Sequence, residues 1–75
     1  KKAMVEQIVK ALDSRLTIHD FRLVHGGGVT KLLFDVVMPF GMKMGEEELK
    51  KQVEDQVCET MPCCCAIIQI DRSYV

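Results

Sequence analysis

The sequence predicts an α+β sandwich in which two helices pack on one face of a three-stranded mixed sheet. Three observations lead there. Stretches 2–13 and 45–61 repeat their apolar residues at helical spacing. Stretches 16–25, 29–38 and 65–71 are shorter and rich in β-branched, aliphatic and aromatic residues. Three consecutive glycines, Gly26 to Gly28, separate the first two of these and suit a tight hairpin.

The elements follow in order. In 2–13 (KAMVEQIVKALD), Val5, Ile8, Val9 and Leu12 form one apolar stripe, which Asp13, Ser14 and Arg15 break. Strands 16–25 (LTIHDFRLVH) and 29–38 (VTKLLFDVVM) flank the glycines, and Pro39 ends the second because it cannot donate to a ladder. No Gly-Lys-Ser/Thr follows the glycines, so they read as turn chemistry rather than a phosphate loop. Residues 40–44 form a loop. In 45–61 (GEEELKKQVEDQVCETM), Gly45 serves as cap and Glu46, Glu47 and Glu48 complement the positive end of the helix dipole. Glu46 with Lys50, and Glu47 with Lys51, stand at the favourable i to i+4 spacing. Leu49, Val53, Val57 and Met61 make the buried stripe, and Pro62 stops the helix. Strand 65–71 (CAIIQID) closes the fold, with 72–75 as a tail. A right-handed crossover through the second helix lays this strand parallel to a hairpin strand. The order α-β-β-α-β is a ferredoxin-like arrangement without its first strand and with a leading helix.

Composition narrows the function. The 75 residues make one small domain, 1–75. Such a chain buries only about 60% of its unfolded surface, so a partner surface would help its thin core. A hydrophobic fraction of 48% with 28% charged residues excludes a disordered tail. A net charge of −1, three Phe and one Tyr argue against nucleic acid as a partner. No apolar run approaches the roughly 20 residues of a membrane-crossing helix. Lys-Lys-Ala-Met at the start lacks the apolar core of a signal peptide, and the chain reads as a segment excised from a longer protein. Cys58 and the run Cys63, Cys64, Cys65 staple nothing distant and read as reduced thiols in a turn. Their spacing is not that of a zinc site. His25, beside the glycines, reads as a solvated loop residue. No nucleophile–base–acid constellation appears, so no enzyme is expected.

Strand parity sorts the rest. Leu32, Phe34, Val36 and Met38 point toward the helices, as do Ala66, Ile68 and Ile70. The uncovered face then carries Asp20, Arg22, Lys31, Asp35, Gln69 and Asp71 among Ile18, Val24, Leu33, Val37 and Ile67. Aliphatics mixed with a few charges suit an interface holding a polar site. The alternative is a set of exposed cross-strand ion pairs, Asp20 with Arg22 or Asp35 with Lys31. His19 has the parity of Phe21, which a flat strand sends toward the helices; a bulge, or its place near the strand end, would redirect it.

His-Asp-Phe-Arg at 19–22, the glycine turn, LLFDVVMPF at 32–40 and IIQIDRSYV at 67–75 together resemble a known module. It is the C-terminal cytoplasmic domain of the cation diffusion facilitator transporters, and the resemblance covers about residues 3–75. Such transporters export divalent cations such as Zn2+ or Mn2+, and this domain dimerises and senses metal. The resemblance implies a homodimer on the cytoplasmic face of the membrane, with Lys1 following the transmembrane part of the same chain. It implies His19, Asp35 and Asp71 as metal ligands; the face that strand parity leaves uncovered supplies Ile18, Asp20, Leu33, Val37, Ile67 and Gln69 as the interface. Asp35 and Gln69 stand where many members carry histidine. The oxygen-richer set favours harder cations such as Mn2+ over Zn2+, and also fits a weak or lost site. Two other functions fit the residues: a soluble ferredoxin-like metal chaperone using the cysteines, and a metal-free dimerisation module.

Overall fold

The computed structural model describes residues 2–39 and 41–72; Lys1, Phe40 and the tail 73–75 lie outside the described residues. The elements are α1 (Lys2–Leu12), β1 (Thr17–Gly26), β2 (Val29–Met38), α2 (Glu46–Thr60) and β3 (Cys64–Arg72). The sheet order is β1-β2-β3, with β1 antiparallel and β3 parallel to the central β2. This is the expected ferredoxin-like α+β sandwich, with boundaries moved by a residue or two.

Local chemistry explains those boundaries. After α1, the Asp13 amide donates to the Val9 carbonyl at 3.2 Å and the Leu16 amide to the Asp13 carbonyl at 3.0 Å. The Asp13 carboxylate accepts from the Arg15 amide at 2.9 Å and from its guanidinium at 3.1 and 2.8 Å. This clamp turns the chain so that Leu16, just ahead of β1, is fully buried. Gly27 and Gly28 take φ of 59° and 78°, the two left-handed positions of a mirror-image type I turn, while Gly26 pairs with Val29. His25 therefore belongs to β1 rather than to a loop. It is exposed, with Nδ1 3.1 Å from the Thr30 hydroxyl.

Gly45 precedes α2 in extended conformation without a side-chain cap, and the three glutamates fill the first turn as expected. Neither Glu46–Lys50 nor Glu47–Lys51 is an ion pair among the described residues. Glu46 instead accepts from Arg72 Nε at 2.5 Å, tying the start of α2 to the end of β3. At the other end, Met61 caps the helix onto the Val57 carbonyl at 2.8 Å. β3 then starts one residue earlier than predicted, because the Thr30 amide takes the Cys63 carbonyl and sets the parallel register.

Both helical stripes meet one face of the sheet. Val5, Val9, Leu49, Val53 and Val57 pack on Leu32, Phe34, Val36, Met38 and Ile68, with Ile8, Leu12, Ala66 and Ile70 half-buried around them. Phe21 stacks on Phe34 at a centroid distance of 6.0 Å. Cys64 is buried in the same core, whereas Cys58, Cys63 and Cys65 are exposed thiols. Only Cys63 lies in the turn; Cys64 and Cys65 belong to β3 and Cys58 to α2. The other face of the sheet carries no helix.

Candidate functional site

The face opposite the helices is ordered into cross-strand rows. From the hairpin end they read Val24–Lys31–Cys65, Arg22–Leu33–Ile67, His19–Asp35–Gln69 and Thr17–Val37–Asp71. The third row depends on an irregularity in β1. His19 pairs with Asp35 but Arg22 pairs with Leu33, so Asp20 and Phe21 together oppose one residue of β2. This is a β-bulge. Asp20 supplies it with φ of 55°, a left-handed conformation that aspartate tolerates better than most residues.

The bulge resolves the conflict over His19: it reverses the parity of the first half of β1, and His19 stands opposite Asp35 on the open face. The same reversal corrects the placement of Ile18. Ile18 pairs with Val36 and packs half-buried against the core, on the helix side. Leu33, Val37, Ile67, Gln69, Asp35 and Asp71 have the parity expected of them. The signal for the bulge was local, a residue tolerant of positive φ inside an otherwise regular strand.

Asp35 is the electrostatic centre of the face. Its carboxyl is held above the ordinary carboxylate range, first by partial removal from water, then by the charges of Asp71 and Asp20 and a hydrogen bond with Asp20. His19 acts weakly in the opposite direction. The cross-strand ion pairs Asp20–Arg22 and Asp35–Lys31 do not form among the described residues, whose ion pairs are Arg15–Asp13 and Arg72–Glu46. Asp20, Arg22, Leu33, Asp35, Ile67 and Gln69 line a hollow of about 590 Å³, whose wall also includes Glu46, Glu47 and Lys50 of α2.

His19 and Asp35 are thus direct cross-strand neighbours, and Asp71 lies one row further along β3. Among the described residues, no three His, Cys, Asp or Glu side chains of one chain are gathered to hold a metal ion. No helix among the described residues is long and apolar enough to cross a membrane.

Fold and face together define a class: a small αββαβ ferredoxin-like domain that leaves one side of its sheet bare. Among the solved structures that share this fold are two of the candidate zinc transporter CzrB. One aligns with a TM-score of 0.74 at 18% identity, covering 96% of this chain and 92% of that one. The other, a zinc form, aligns with a TM-score of 0.67 at 23% identity, covering 95% of this chain and 86% of that one. No family model and no curated protein matches the sequence. The likeness is therefore one of fold.

Proposed function

We propose that this chain is the cytoplasmic, dimerising and metal-responsive domain of a divalent-cation efflux transporter. The observation that carries the reading is the open sheet face, where His19 meets Asp35 in register and Asp71 and Asp20 crowd the same carboxyl. The fold shared with CzrB supports it. A second copy laid on this face covers the exposed aliphatics and brings further donors to the incomplete ligand set. In this reading the domain carries no enzymatic chemistry, and translocation belongs to a transmembrane part of the same protein.

Imidazole and carboxylate donors accept Zn2+ or Mn2+, and the predominance of oxygen tilts the set toward the harder ion. An ion that binds only the paired form stabilises it by RT ln(1 + [L]/Kd), about 2.7 kcal/mol at a hundredfold excess over Kd. Calorimetric titration with Zn2+ and Mn2+, run beside sedimentation velocity, tests the proposal. The expected outcome is saturable heat that vanishes in the Asp35→Ala, Asp71→Ala double variant. Identical heats in the variant remove these acids from the site. A monomer at all concentrations, with and without metal, removes the dimer.

A further inference from the structure

Cys58, Cys63, Cys64 and Cys65 gather where α2 gives way to β3, and the proposed function uses none of them. The backbone there is pinned. The Met61 amide donates to the Val57 carbonyl at 2.8 Å, the Cys64 amide to the Met61 carbonyl at 2.9 Å, and the Thr30 amide to the Cys63 carbonyl at 3.2 Å. Cys64 is seated in the core together with Met61. Strand side chains alternate across a sheet, so a residue seated in the core sends its two neighbours to the other side. Cys63 and Cys65 are accordingly exposed, and neither is held in a disulfide. They make a pair of thiols on one rigid stretch, with the buried side chain of Cys64 anchoring the backbone between them. Cys58, also exposed, stands on a different element, α2.

Geometry limits what such a pair can hold. Alternate residues of a strand have Cα atoms about 6.5–7 Å apart. Two metal–thiolate bonds of about 2.3 Å set in line span about 4.6 Å, which the two side chains reach by leaning toward each other. Tetrahedral Zn2+ requires four donors, and among the described residues no three His, Cys, Asp or Glu gather for one ion. Two thiolates by themselves suit a soft d10 ion of linear coordination, and thiolate ligands select Cu+. Such an ion with two thiolates carries one negative charge. Lys31, in register with Cys65 on the open face, puts a positive charge beside it. The row of His19 and Asp35 crosses β3 at Gln69, four residues from Cys65 and so about 13 Å away.

We infer that Cys63 and Cys65 form a binding site for a soft monovalent cation such as Cu+, separate from the oxygen-rich place around His19 and Asp35. Binding displaces the two thiol protons to solvent and transfers no electron. The site goes beyond the proposed function and does not depend on it.

The experiment is anaerobic titration of the reduced 75-residue chain with Cu+ in competition with a chromophoric chelator, followed by alkylation with iodoacetamide and peptide mass mapping. One equivalent is expected to bind with a rise in ultraviolet thiolate-to-metal absorbance. It is expected to protect Cys63 and Cys65 from alkylation while Cys58 stays reactive. Cys63→Ser and Cys65→Ser, each alone, are expected to lose that uptake, and Cys58→Ser to keep it. All three positions are exposed, so circular dichroism is expected to show each variant folded. The Zn2+ and Mn2+ heats of the serine variants are expected to match those of the wild type. Failure of the wild type to take Cu+ from the chelator overturns the dithiol site and leaves the proposed function standing. Uptake that survives Cys63→Ser or Cys65→Ser, or that Cys58→Ser abolishes, places the ion elsewhere and overturns the site as well. Loss of the Zn2+ and Mn2+ heats in the serine variants overturns the separation of the two places.

Discussion

At the scale of single residues, two aspartates push the pH dependence of stability in opposite directions. The Arg15 hydrogen bonds lower the Asp13 carboxyl from 3.8 to about 2. Its contribution is present above the unfolded value and is lost as pH falls toward 2. Asp35 is shifted upward, so the folded chain holds that proton more tightly than the unfolded chain. Stability therefore declines as pH rises from 3.8 through the raised value. In urea unfolding of dilute, monomeric protein, Asp35→Asn is expected to lose less stability than wild type as pH rises above the ordinary carboxylate range. Asp13→Asn is expected to flatten the acid side of the profile and leave the neutral side unchanged. Asp20 supplies a third test. At φ of 55°, Asp20→Gly is expected to be tolerated, while Asp20→Val should cost about 1–2 kcal/mol, because a β-branched residue resists the left-handed region. Equal stability of the Gly and Val variants would show that the bulge has relaxed.

At the scale of elements, the core was readable, whereas the bulge could be named only as one of two ways to turn His19 and not assigned to Asp20. Val5, Val9, Leu49, Val53, Val57, Leu32, Phe34, Val36 and Met38 declare themselves by period, because each helix and β2 has one face committed to a single neighbour. The parallel placement of β3 followed from the handedness of its crossover. What the period cannot carry is an extra residue. Strand parity assumes one residue per pleat, and Asp20 breaks that assumption, so Ile18 and His19 exchanged faces relative to a flat reading. Pairing partners of long charged side chains were equally illegible: Glu46 passes over Lys50 for Arg72, which only the docking of α2 beside β3 brings near. The helix–sheet packing gives a further prediction. Leu49 is fully buried, and Leu49→Ala is expected to cost about 2–5 kcal/mol in denaturant unfolding. For a domain of this size, that is a large share of a total of about 4–11 kcal/mol.

At the scale of the molecule, the thin layer of helices and the bare sheet belong to one argument. The domain measures 39 × 21 × 21 Å, and the side of the sheet away from the helices leaves Val24 and Ile67 about half exposed. If pairing covers them, folding and association are linked. The thermal midpoint is then expected to rise with protein concentration. Scanning calorimetry at several concentrations checks this without reference to metal. The fold-level likeness to CzrB was anticipated by short motifs spread from His19 to Asp71.

The surplus residue in β1 has a consequence for how related genes should be aligned. Because Asp20 is the unpaired extra in its strand, excising it restores an ordinary ladder and leaves the imidazole of His19 across from Asp35. A one-residue deletion there is expected to keep His19 across from Asp35 and Arg22 across from Leu33 while removing the Asp20 carboxylate that crowds Asp35. An alignment that forbids a gap there would misplace the histidine by one column and hide the correspondence.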